Sequence, residues 1–214
     1  MRKYKCLFWD FDGTIVDSFE GCSFAFGKVF EHYGLNIPPE DRKQYIGPPL
    51  KDTFTEMFGE AVEPEARELY REFYINQGGQ KMCKLFDGME NVLAQIKSFG
   101  YKMYIATSKR EDIATEMLKE FGVLKCFDGV FGTVESKGRV DKKDILAYAV
   151  KCSGSKLDDC LMIGDSIYDA RAAKEVGIDC LAVAYGFGNV ENMSKIGTIL
   201  TLDTPEQLVS VFDN

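Results

Sequence analysis

Asp10 and Asp12 stand two residues apart at the end of a short apolar run, Lys5 to Asp10. In extended backbone such a pair projects from one face, and two carboxylates aimed the same way repel unless a cation lies between them. Asp12-Gly13 serves a plain turn equally well. A calcium loop does not fit. An EF-hand needs glycine at its sixth position and glutamate at its twelfth; counted from Asp10, the glycine is fourth, Gly13, and the twelfth residue is Gly21.

A second acidic pair lies in Gly164-Asp165-Ser166-Ile167-Tyr168-Asp169, after an apolar run and at the opening of a helical pattern. Ser166 or Asp165 is a natural N-cap there and Asp169 a capping-box acid. Read for chemistry, Asp165 shares a cation with Asp10, and Asp169, one turn along the helix, orients a ligand or a lysine. Thr107-Ser108-Lys109 joins another apolar run to a helix near Glu111. Hydroxyls cap helices, and a hydroxyl with main-chain N–H groups at a helix start also cradles phosphate. The basic stretch from Ser136 to Lys143 is either solvated surface or the source of one lysine that neutralises a phosphoryl oxygen.

These groups need a scaffold that delivers them to one edge. Apolar runs at Lys5–Asp10, Lys102–Ala106, Gly129–Phe131, Cys160–Ile163 and Cys180–Ala184 alternate with helical patterns at Asn91–Phe99, Glu111–Phe121, Lys142–Lys151 and Tyr168–Val176. Three of those helices stop at Gly100, Gly122 and Gly177. Strands buried on both faces and alternating with helices predict a doubly wound parallel sheet of the α/β class, and such sheets bind ligands beyond the carboxyl ends of their strands. From Ser18 to about Met82 the alternation breaks. Phenylalanines and aliphatics at helical spacing, interrupted by Pro38-Pro39 and Pro48-Pro49, predict a helical module inserted after the first strand.

Composition narrows the chemistry. With 214 residues, 45% hydrophobic and 28% charged, the chain has the make-up of an ordinary folded domain. A net charge of -8 argues against nucleic acid as a partner. No signal peptide or membrane-spanning segment is expected. The seven cysteines form no C-x-x-C pair, which points to reduced thiols and a cytoplasmic location. His32 is the single histidine, so H-E-x-x-H and three-histidine zinc sites are excluded, and catalysis should rest on carboxylates, hydroxyls and lysines.

Trp9-Asp10-Phe11-Asp12-Gly13-Thr14-Ile15-Val16-Asp17-Ser18, Ile105-Ala106-Thr107-Ser108-Lys109 and Ile163-Gly164-Asp165-Ser166-Ile167-Tyr168-Asp169 resemble the first, second and fourth motifs of the haloacid dehalogenase-like phosphohydrolases. The likeness is to the phosphoglycolate phosphatase-like branch with a helical cap, and it runs in order along essentially the whole chain. The third motif departs, since that branch commonly carries a Lys-Pro pair and none occurs here. Lys142 stands best in register with the following helix, with Lys137 and Lys143 as alternatives.

The resemblance implies a Rossmann-like core over residues 1–17 and 83–214 and a cap over 18–82. It implies that Asp10 attacks phosphorus, that Asp12 serves as general acid and base, and that Mg2+ is held by Asp10, the backbone carbonyl of Asp12 and Asp165. Gly13, Thr107, Ser108 and Lys142 would bind phosphate, with Asp169 orienting the lysine. Arg42, Lys43, Tyr45 and Lys51 are the candidate substrate contacts of the cap, read as a mobile lid.

The implied substrate is a small phosphorylated metabolite, handled by a monomer or homodimer without nucleic acid or membrane. A 5'-nucleotidase or a sugar-phosphate mutase of the same fold are the enzymatic alternatives, although Gly47-Pro48-Pro49-Leu50 lacks the arginine such mutases usually place there. A dehalogenase would lack Asp12. A receiver-type signalling module would put its phosphoacceptor on a mid-chain strand.

Overall fold

The computed structural model describes residues 4–213. The chain divides into two compact units, Met1–Val16 with Leu85–Asn214, and Asp17–Lys84. The first strand, β1 (Cys6–Trp9), is buried throughout, and a short strand, β2 (Val16–Asp17), leads into the inserted unit. There a short helix (Pro39–Tyr45) joins α1 (Phe19–His32) to α2 (Leu50–Phe58), a loop joins α2 to α3 (Glu63–Arg71), two further short helices follow α3, and β3 (Lys84–Leu85) leads out. The inserted unit is held by aromatic rings. Phe26 lies 5.7 Å from Phe30, 5.8 Å from Tyr45, 5.6 Å from Phe54 and 4.7 Å from Tyr70, centroid to centroid. Such pairs add about 0.5–1.5 kcal/mol each beyond the area they bury, which suits a unit with few other large side chains to bury.

The larger unit continues with α4 (Met89–Ser98), β4 (Lys102–Arg110), α5 (Glu111–Glu120), β5 (Gly129–Thr133), α6 (Lys142–Ser153), β6 (Cys160–Gly164), α7 (Ile167–Val176), β7 (Asp179–Val183), α8 (Val190–Ile196), β8 (Leu200–Leu202) and α9 (Pro205–Phe212). The six strands β5-β4-β1-β6-β7-β8 form one parallel sheet. Burial of every residue of β1 and β6 matches a sheet covered on both faces. The helices α6 and α7 supply Ile145, Leu146, Ala149, Ala170 and Ala173 to a cluster with Phe8 and Met162.

Strand order reverses at β1, which lies between β4 and β6. Trp9 is level with Ile105 on one side and Ile163 on the other. The residues next along the three strands, Asp10, Ala106-Thr107 and Gly164-Asp165, therefore stand side by side at the sheet's switch point. Two features differ from the periodicity reading. β4 stays extended to Arg110 with a register shift between Ala106 and Arg110, and α8, β8 and α9 continue the winding beyond β7. No helix among the described residues is long and apolar enough to cross a membrane. All seven cysteines are free thiols.

Candidate active site

Asp10 follows β1 and is buried, with Oδ1 accepting a 2.7 Å hydrogen bond from the Phe11 amide. Lys142, the first residue of α6, reaches the same oxygen at 2.6 Å and Asp169 Oδ1 at 2.8 Å. Asp10, Asp165 and Asp169 are all buried, and their ligand atoms lie within 4.8 Å of one another. Burial, then the charge of Asp169, pushes the pKa of Asp10 up to about 8, and the same two causes push Asp165 up to about 7. Burial alone would lower the pKa of Lys142, but Asp10 and Asp169 more than reverse that. Three buried carboxylates, two of them in contact with the one ammonium, form an all-oxygen donor set in which acids outnumber the cation. That chemistry fits a hard divalent cation.

Asp169 makes two sets of contacts at once. Its Oδ2 accepts from the Ser166 amide at 3.0 Å and the Ser166 hydroxyl at 2.7 Å, which caps α7, while Oδ1 faces Lys142. Asp165 is held from both sides, by Thr14 Oγ1 on Oδ1 at 3.2 Å and by the amides of Phe187 and Gly188 on Oδ2 at 2.8 and 3.2 Å.

Asp12 is separate from this carboxylate group. Both of its oxygens lie 3.1 Å from Lys109 Nζ, a pairing the sequence reading did not assign. Gly13 has φ +79°, and a Cβ there would fall 2.3 Å from Asp165 Oδ2. Its amide donates to the Val16 carbonyl at 2.9 Å. Gly13 therefore lets the backbone pass close to Asp165, and its N–H closes the turn onto Val16. Thr107 is buried and its Oγ1 accepts from the Lys109 amide at 3.2 Å. The Ser108 hydroxyl is buried without a hydrogen-bond partner among the described residues, an unsatisfied donor that a phosphoryl oxygen would satisfy.

The basic stretch is sorted by helix phase. Lys142 points with Ile145, Leu146 and Ala149 on the buried face of α6, whereas Lys143, one residue on, pairs at the surface with Glu175 at 3.3 Å. Lys137 is exposed. Arg139 bonds the Gly132 carbonyl at 3.0 Å and pairs with Glu111, tying the loop before α6 to the start of α5.

In the inserted unit Arg42 donates from Nε to the Ile37 carbonyl at 2.8 Å and from Nη1 to the Ser23 carbonyl at 3.0 Å. Tyr45 packs on Phe26 and Phe30. Lys43 and Lys51 are exposed. Of the four cap residues expected to meet substrate, Arg42 and Tyr45 have structural work inside their own unit.

Known proteins share this fold. The family model described as haloacid dehalogenase-like hydrolase matches residues 7–183. The tyrosine-protein kinase PtkA of Mycobacterium tuberculosis H37Rv is 34% identical over 196 residues, which cover 91% of this chain and 67% of that protein. A 5'-nucleotidase of Pseudomonas aeruginosa PAO1 is 30% identical over 194 residues, 89% of this chain and 87% of the relative. A crystal structure described as a predicted phosphatase from Clostridium acetobutylicum superposes with a TM-score of 0.92 at 29% identity, covering 98% of each chain. The chain belongs to the haloacid dehalogenase-like hydrolase family and is an enzyme of that family.

Proposed function

We propose that this enzyme is a Mg2+-dependent phosphatase that hydrolyses small phosphate monoesters through an aspartyl-phosphate on Asp10. The observation that carries the reading is the fixed ammonium of Lys142 between Asp10 and Asp169. Both contacts described for Asp10 fall on Oδ1, so Oδ2 is the oxygen that attacks. In the first step the bond from phosphorus to the ester oxygen breaks as the bond from Asp10 to phosphorus forms, and Asp12 protonates the departing alkoxide. In the second step water attacks phosphorus, its proton passes to Asp12, and the acyl phosphate is cleaved to Asp10 and inorganic phosphate.

Thr107, the Ser108 amide and hydroxyl, and Lys142 hold the phosphoryl oxygens. Asp10 and Asp165, with the main-chain carbonyl of Asp12, would hold Mg2+, which supplies positive charge against the dianionic substrate. The inserted unit is assigned the choice of substrate, with Lys43 and Lys51 as its exposed cations. Buried free thiols suit a reducing compartment such as the cytoplasm.

Phosphoglycolate is the substrate favoured by the resemblance to the phosphoglycolate phosphatase-like branch with a helical cap, and the Pseudomonas relative supports a 5'-nucleotidase as the second reading. The deciding experiment is a panel of phosphoglycolate, nucleoside 5'-monophosphates and sugar phosphates with Mg2+, run on the enzyme and on Asp10→Asn. The reading requires Mg2+-dependent phosphate release that the variant loses by at least three orders of magnitude, on the order expected for a missing nucleophile. Retention of a tenth of the activity, or transfer from ATP to tyrosine in place of water, would overturn it.

A further inference from the structure

The segment Tyr185-Gly186-Phe187-Gly188, between β7 and α8, is not accounted for by any of the motif residues. It lies on the far side of Asp165 from Lys142's helix in strand order, and its backbone comes unusually close to the site. A Cβ on Gly186 would fall 2.3 Å from the Gly13 carbonyl oxygen, and one on Gly188 would fall 2.0 Å from the carbonyl oxygen of Asp165. Only glycine admits such approach. That closeness brings the amides of Phe187 and Gly188 onto Asp165 Oδ2.

The other oxygen of Asp165 is fixed by Thr14 Oγ1, and Thr14 is itself fixed by this segment. The hydroxyl of Tyr185 donates to the Thr14 carbonyl at 3.0 Å. The Tyr185 ring is braced edge-on by Phe86 at 5.0 Å, and Phe86 also meets Phe187 at 6.4 Å. Among the described residues Asp165 thus accepts three hydrogen bonds, two directly from residues 187 and 188 and one from Thr14, whose carbonyl is bonded by Tyr185 and whose amide bonds Phe11.

We infer that residues 185–188 are a clamp that presets the Asp165 carboxylate for the divalent cation, with Tyr185 as a positioning residue. The inference rests on the phosphatase reading above and adds a requirement to it. A carboxylate locked in one orientation meets the cation without first giving up rotational freedom, and partners of this outer kind typically govern about ten- to hundredfold in metal affinity.

Calorimetric titration of Mg2+ into the full chain, with urea unfolding in parallel, tests the clamp without recourse to turnover. Tyr185→Phe and Thr14→Val should each weaken Mg2+ binding about tenfold, while Thr14→Ser, which keeps the hydroxyl, should bind as the unaltered protein does. Gly188→Ala should weaken binding further, and if it fails to fold, Tyr185→Phe and the Thr14 pair decide. A merely structural role would lower the urea midpoint and leave Mg2+ affinity of the folded protein unchanged; that result in Tyr185→Phe and Thr14→Val overturns the clamp alone. Absence of Mg2+ binding by the unaltered protein overturns the phosphatase reading and the clamp with it.

Discussion

Lys109 Nζ is equidistant from the two carboxylate oxygens of Asp12, 3.1 Å from each. The two side chains are 9% and 17% exposed, so solvent screens the pair only in part. The same ammonium stands 5.5 Å from the centroid of the Phe11 ring. Asp12 is therefore held by a partner two residues beyond Thr107, on the neighbouring strand.

Lys109→Met should free the Asp12 carboxylate to rotate. The expected cost is roughly ten- to hundredfold in kcat on alkyl phosphates, the scale of a misplaced catalytic group, with little change in KM. Nitrophenyl phosphate, whose leaving group needs less protonation, should lose less. Steady-state kinetics on both esters checks this, and an unchanged kcat on the alkyl ester would show that Asp12 needs no such partner.

Lys142→Ala leaves Asp10 and Asp169 buried without their shared cation. Removing one partner of a buried ion pair typically costs about 3–5 kcal/mol, so the urea midpoint should fall sharply along with phosphate affinity. Lys143 and Glu175 are 55% and 54% exposed, and surface pairs of that kind contribute about 0–1 kcal/mol. Lys137→Ala and Lys143→Ala should therefore stay close to the unaltered protein in both measurements. If Lys142→Ala proves the mildest of the three, the lysine has been misassigned.

The contrast between Lys142 and Lys143 shows how far sequence could reach. Phase along α6 separates them, because residues 142, 145, 146 and 149 share one face and 143 is turned about 100° away. The acids were legible for a similar reason: Asp10 ends one short apolar run and Asp165 follows another by one glycine, and the runs are strands in register. Lys109 was visible in the second motif but without a partner, since its meeting with Asp12 depends on the adjacency of β1 and β4. The clamp of residues 185–188 left almost no signal, because its donors are main-chain amides. β8 escaped because it has three residues, and α8 because its seven residues include only Val190, Met193 and Ile196 as large apolar side chains.

Metal removal gives a test on stability. Mg2+ bound only by the folded state, at a hundred times its dissociation constant, adds about 2.7 kcal/mol. For a chain of this size that corresponds to a rise in Tm of roughly 5–10 °C. The shift should vanish in Asp165→Asn, and excess chelator should abolish turnover that Mg2+ then restores. Calcium, with longer and looser coordination, should inhibit. Differential scanning calorimetry with and without each ion reads the shift; an equal rise in Asp165→Asn would place the cation elsewhere.

The inserted unit separates two kinds of cation. Arg42 bonds main-chain carbonyls at Ile37 and Ser23, so it joins the segment before its own short helix to α1. Arg42→Ala should destabilise the chain by about 2–4 kcal/mol, from two charge-assisted hydrogen bonds at roughly 1.5–3 kcal/mol each with partial rehydration of the carbonyls. Its effect on substrate ranking should be no greater than that of any substitution that loosens the unit. Lys43 and Lys51 are exposed, and their replacement by alanine should leave the urea midpoint within about 0.5 kcal/mol. If the inserted unit chooses the substrate, those two replacements should reorder phosphoglycolate, nucleoside 5'-monophosphates and sugar phosphates while nitrophenyl phosphate hydrolysis is preserved. Ranking all three variants on one panel, beside their urea midpoints, checks both halves. A reordered ranking in Arg42→Ala with no loss of stability would return Arg42 to substrate contact, and an unchanged ranking in Lys43→Ala and Lys51→Ala would remove both lysines from it.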